Sequence, residues 1–150
     1  MTGGTGPTIV GNIIGTDATG SLDLGNEEVG ILVFNGSATI GGTGAGEGNT
    51  IAFNGAEGAQ VSGGILVASD GPATMRANLI FANKNIGIDL DADGVTPNDP
   101  FDSDTGSNDL QNFPLIASVV PGASTTHVEG SLQSGSSTTY SLDFFAAPAC

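Results

Sequence analysis

A chain of 150 residues is one domain by length and long enough to bury a core, and a hydrophobic content of 38% excludes disorder throughout. Two Lys plus Arg against 16 Asp plus Glu give a net charge of -14, which argues against nucleic acid and anionic lipid as partners, because neither finds a cationic footprint. The 25 glycines without a collagen period demand frequent turns, and Cys150, the sole cysteine, allows no internal disulfide. No apolar run is long enough to span a membrane and no leader reads as a signal peptide, so an export signal is expected outside these residues.

The first element reads TIVGNIIGTD, Thr8 to Asp17, and two relatives follow it: GNTIAFN at Gly48 to Asn54 and ANLIFAN at Ala77 to Asn83. In each, an asparagine precedes a short apolar run and an Asn or Asp follows it: Asn12 with Asp17, Asn49 with Asn54, Asn78 with Asn83. A second series alternates with the first, as GILV from Gly30, GILV from Gly64 and GIDL from Gly87. These runs are short, rich in Ile, Val, Leu and Phe, and bounded by Gly, Asn and Ser, which predicts strands. Unequal spacings between the anchors mean that loops are inserted between fixed strands. Short strands, many turns and an approximate repeat in the low twenties describe the coils of a parallel β-helix. A leucine-rich repeat would need a regular Leu ladder and a helical return, and the sequence has neither. Asn12, Asn49 and Asn78 are candidates for a side-chain ladder along the stack, with turn formation as the alternative role.

Strand alternation turns Ile31, Val33, Ile65, Val67, Ile88 and Leu90 inward and Leu32, Leu66 and Asp89 outward, with Asp91 in the outward position of Phe34 and Ala68. From Asp89 the chain becomes acidic: Asp89, Asp91, Asp93, Asp99, Asp102, Asp104 and Asp109 occur before Leu110 without one lysine or arginine. Alternate carboxylates on an extended segment stand about 7 Å apart and repel by roughly half a kcal/mol even in water. Either the segment is a solvated loop of turn formers, or a cation organises it. DLDADG matches the opening of an EF-hand loop, but the twelfth position is Pro100 and no flanking helix is predicted, so it is not an EF-hand. All seven aspartates are candidate calcium ligands, since calcium takes six to eight oxygens with flexible geometry.

The phrases GNIIGTDATGSLDLGN, ATIGGTGAGEGNTIAFN, GILV and the closing GVTPNDPFDSDTGSNDLQNFPLI together resemble the bacterial extracellular right-handed parallel β-helix repeat proteins, from Pro7 to about Ile116. THVEGSLQSGSSTTYSLDFFAAPAC resembles the opening strands of an appended β-sandwich module. The resemblance implies an all-β fold: right-handed parallel β-helix coils, about three of them, over residues 1–94, an acidic calcium-type loop and helix end over 95–116, and an incomplete β-sandwich segment, a short hairpin, over 117–150. It also implies a secreted or cell-surface setting. The start in mid-repeat and the stop at Cys150 suggest a fragment. The same architecture hosts polysaccharide lyases and hydrolases as well as structural stalks, so it leaves function open.

Two functions remain. One is a structural or carbohydrate-binding module, ordered by calcium and without catalysis, meeting a polysaccharide or cell-surface glycan. The other is a pectate-lyase-like polysaccharide lyase or a glycoside hydrolase. A lyase needs a basic residue, and Arg76 and Lys84 are the candidates, with His127 read as an exposed strand residue. A hydrolase needs two carboxylates about 5 to 9.5 Å apart, which Asp89 and Asp91 satisfy on paper. Phe34, Phe53 and Phe81 could stack on sugars if exposed, although Phe53 and Phe81 suit coil corners better. Open ends of the coil stack expose strand edges, so self-association there is a further expectation.

Overall fold

A computed structural model of the chain describes residues 6–68 and 71–146, and Cys150 lies outside them. The strands are β1 (Thr8–Ile9), β2 (Ile13–Ile14), β3 (Val29–Phe34), β4 (Ala38–Gly41), β5 (Thr50–Ala52), β6 (Gly63–Ala68), β7 (Ala73–Arg76), β8 (Leu79–Phe81), β9 (Ile86–Leu90), β10 (Leu115–Pro121) and β11 (Thr126–Ser131). Every third strand pairs with the last: β1-β4-β7, β2-β5-β8 and β3-β6-β9 form three sheets, all parallel. A parallel partner cannot be reached by a tight hairpin; here two strands in the other sheets make each return. The chain therefore visits the three sheets in turn, three times. The fold is all-β with almost no helix, compatible with the β-helix expected from the repeats.

The register is the one the repeated phrases predict. Ile31 pairs with Ile65 and Ile65 with Ile88, while Leu32, Leu66 and Asp89 form the neighbouring row. Ile31, Val33, Ile40, Ile51, Ile65 and Val67 fill the space between the sheets, with Ile9, Ile14, Met75, Ile80 and Leu90 packed against them. Burying such β-branched side chains contributes roughly 1.5 to 3 kcal/mol each. Two details depart from simple alternation. Leu32 is 55% exposed, as expected, but Leu66 in the same row is 3% exposed, and the turn Ser107–Leu110 packs against β6 and β9. Ile88, expected inside, is 37% exposed, because β9 is the last strand of its sheet and has no fourth layer over it.

Two asparagine ladders run along the stack. Asn12 donates its Nδ2 to Asn49 Oδ1 at 3.1 Å, and Asn49 donates to Asn78 Oδ1 at 2.8 Å. Each Oδ1 also accepts the backbone N–H of the preceding asparagine. The second ladder is Asn26, Asn54 and Asn83, so the partner of Asn54 in the first pass is Asn26, not the Asp17 that spacing suggested. Asp17 instead folds its own loop: it accepts the N–H groups of Thr19, Ser21 and Leu22 and the Thr19 hydroxyl. Those donors, the Thr19 hydroxyl first, hold its carboxyl well below the usual carboxylate range. The inserted loop displaces the ladder position to Asn26, which a fixed five-residue spacing could not anticipate.

Beyond the stack, β10 and β11 form an antiparallel two-stranded ribbon. Asp143 ties the chain after it back to β7, accepting Arg76 Nε and Nη2, each at 2.9 Å, and the Ala77 N–H.

Candidate functional site

The acidic segment begins where β9 ends. Asp91 and Ala92 have left-handed backbone, φ 74° and 62°, so the chain leaves the sheet and the Asp91 carboxylate turns toward Ser107, whose N–H and hydroxyl it accepts. Ser107 is fully buried. Asp89 stays on the outer face of β9 and accepts the Gly94 N–H at 3.3 Å. Burial pushes its carboxyl above the ordinary value, and the charge of Asp93 adds to the effect.

The structure brings three of the seven aspartates together. One carboxylate oxygen each from Asp99, Asp102 and Asp104 lies within 4.8 Å of the others. Two oxygens bound to one calcium at about 2.4 Å can be no farther apart than about 4.8 Å, a limit that each pair in the triad meets. Asp99 accepts the Ser103 N–H and hydroxyl, and the hydroxyl is the main reason its carboxyl is lowered. Asp102 accepts Gln111 Nε2, the Asn112 N–H and the Ser134 hydroxyl. Asp104 differs: its Oδ1 is buried without a hydrogen-bond partner. Burial, and then the charge of Asp99, raise its carboxyl above the ordinary range. An oxygen removed from water beside two carboxylates is one that a hard cation would satisfy.

The centre of the segment is Asn112, 4% exposed. Its Oδ1 accepts the Asp99 N–H, and its Nδ2 donates to the Asp99 and Gln133 carbonyls at 2.8 and 2.9 Å. Sequence reasoning missed Asn112, because an asparagine among acidic turn formers has no periodicity to mark it. Hydrogen bonds from Ser103, Ser107, Gln111 and Asn112 thus hold much of the negative charge. Asp93 and Asp109 are exposed and lie outside the triad.

The candidate bases are placed differently. Arg76 is committed to Asp143, which raises the guanidinium further above its ordinary value, and Lys84 is exposed. His127 is exposed on β11. Phe53 and Phe81 meet edge to face, centroids 5.9 Å apart, and Phe81 is buried while Phe34 is exposed elsewhere at 61%. The three aromatics form no common platform.

Asp143 is held down to about 2, by the Arg76 side chain first and then by the Ala77 N–H. Its folded value lies below the ordinary 3.8, so the clasp contributes in full above that value and is lost as pH falls through about 2. The Ala77 amide resonance is expected to titrate with the same low midpoint, and Asp143→Asn is expected to abolish that titration.

No helix among the described residues is long and apolar enough to cross a membrane. Comparison with family models, with curated proteins and with solved structures finds no match.

Proposed function

We propose that the chain is a structural module of an extracellular protein, a right-handed parallel β-helix without catalysis of its own, whose closing segment is ordered by calcium at Asp99, Asp102 and Asp104. The observation that carries the structural reading is the pair of asparagine ladders across three parallel layers, which direct buried polar groups along the stack rather than into a cleft. Of the four candidate catalytic residues Asp89, Asp91, Arg76 and Lys84, Arg76 is engaged by Asp143 and Asp91 by Ser107. The calcium reading is supported by the spacing of the triad and by the unpartnered oxygen of Asp104. A cell-surface glycan is the partner that suits so acidic a module, since neutral sugars need no cationic footprint.

Calcium and chelator should reverse the effect of one substitution. In chelator at neutral pH, Asp104→Asn removes a carboxylate that folding forces toward its neighbours, so the variant is expected to melt above its parent. In calcium the same change removes a ligand, and the variant is expected to melt below it. The parent itself should gain about 2.7 kcal/mol at calcium one hundredfold above its dissociation constant. Melts indifferent to calcium in both chains would exclude the metal reading.

One observation favours a second reading. Asp89, outward on β9 with its carboxyl raised by burial, has the character of a glycosidase acid. Incubation with neutral and acidic polysaccharides, followed through reducing ends and unsaturated products, separates the two. Product that disappears in Asp89→Ala establishes an enzyme; no product with a calcium-dependent melt leaves the scaffold.

A further inference from the structure

The last strand of the first sheet, β7, has β4 on one side. Pro72 turns its carbonyl toward β4, where it accepts the Ala38 N–H. By alternation the N–H and C=O of Ala73 then face the other way, along the free edge, and so do those of Met75; the Ala77 N–H follows them, while its carbonyl turns back toward Gly48 in the preceding layer. A parallel fourth strand would share that edge among several of its residues. Instead, one side chain closes on Ala73: its N–H donates to Asn108 Oδ1 at 2.6 Å and its carbonyl accepts Asn108 Nδ2 at 2.9 Å. At the other end of the edge, the Ala77 N–H donates to Asp143 at 2.9 Å.

We propose that Asn108 and Asp143 are edge stops: side chains from two separate loops that occupy the free edge of β7 in place of a further strand and prevent a second copy of this chain from pairing there. Exposed parallel edges are templates for such pairing, and proteins cover or interrupt them. An amide suits the first stop because it offers one donor and one acceptor side by side, as a peptide group does. Asparagine suits it twice over, because Asn108 has left-handed backbone, φ 52° and ψ 33°, which asparagine tolerates better than most residues. Asp143 suits the second because its two oxygens serve Arg76 and the edge N–H together. Between the stops only Met75 presents edge groups, too short a run to seat a strand. The self-association expected of open stack ends is therefore blocked at this edge.

The test uses the full chain with Asn108→Gly, which removes the amide but keeps the backbone freedom, with Asp143→Ala, and with both together. Amide hydrogen exchange and sedimentation are followed over a range of concentrations. Exchange at Ala73 is expected to rise about tenfold or more in Asn108→Gly, and at Ala77 in Asp143→Ala, while Ile65 and Val67 keep their protection and report an intact stack. The double variant is expected to be more associated than its parent at every concentration, with Ala73 protected again as association proceeds. Unchanged exchange at Ala73 would overturn the strand-like role of Asn108. Faster exchange with no added association would overturn the stops.

Discussion

Replacing Asn49 by leucine is expected to lower stability by about 4 kcal/mol, a large part of the margin of a domain this size. Asn49 is 1% exposed. Its Oδ1 accepts the Asn12 N–H and Nδ2, and its Nδ2 donates to the Ile9 carbonyl and to Asn78 Oδ1. Leucine matches the shape but ends all four bonds, each with a net value of about 1 kcal/mol. Asn12 stands at the exposed end of the same ladder and donates its Nδ2 to Val10 and Asn49; Asn12→Leu ends two bonds in place of four and is expected to cost about half as much or less. Urea unfolding of the two variants measures the contrast, and equal costs would mean that the ladder does not carry the stack.

The aspartate variant adds a pH signature. Asn49→Asp places a carboxylate against the Ile9 carbonyl and Asn78 Oδ1, where burial and two acceptors raise its pKa in the folded state. The folded chain then binds a proton more readily than the unfolded one, so this variant loses stability as pH rises above about 4 and recovers it in acid. The parent shows no such leg at this position.

Gly41→Ala is the second change expected to be severe. Gly41 ends β4 opposite Arg76 with φ +75°. A Cβ there would lie 2.0 Å from the Arg76 carbonyl oxygen and 2.5 Å from Asn78 Oδ1. The left-handed backbone alone costs about 1 to 2 kcal/mol. The overlap is with backbone and with a ladder residue, so β4 and β7 must separate to relieve it, and the total is expected to be about 3 kcal/mol or more. Gly46 supplies the control, since its φ is +78° and a Cβ there would meet nothing within 4 Å. Gly46→Ala should show the backbone cost by itself. The difference between the two melts isolates how closely adjacent layers approach.

The parallel layers were legible from residue order because every layer repeats one local pattern. GILV, GILV and GIDL stack in the register their letters predict, and Asn12, Asn49 and Asn78 line up because each precedes an equivalent strand. A repeat writes its long-range contacts into the sequence as a period, so local reading reaches across the fold. That advantage ends wherever an insertion or a turn breaks the period. Asn26 replaced Asp17 in the second ladder because a loop intervenes, and Leu66 became buried where the turn Ser107–Leu110 packs against its strand.

The acidic segment shows the same division. Composition alone posed the question of what holds so much negative charge, since charge density does not depend on the path of the chain; hydrogen bonds from Ser103, Ser107, Gln111 and Asn112 are an answer that composition did not offer. Which carboxylates converge was decided in three dimensions. Left-handed residues at Asp91, Ala92, Phe101, Asp102, Asn108 and Asp109 turn the backbone with no periodicity, and they set Asp99, Asp102 and Asp104 together while Asp91 faces Ser107. The clasp of Arg76 with Asp143 and the amide of Asn108 on Ala73 join residues far apart in the chain. Stacking energy is local and repeated, and so it can be read from the sequence; these closing contacts are single and distant, and only the tertiary structure supplies them.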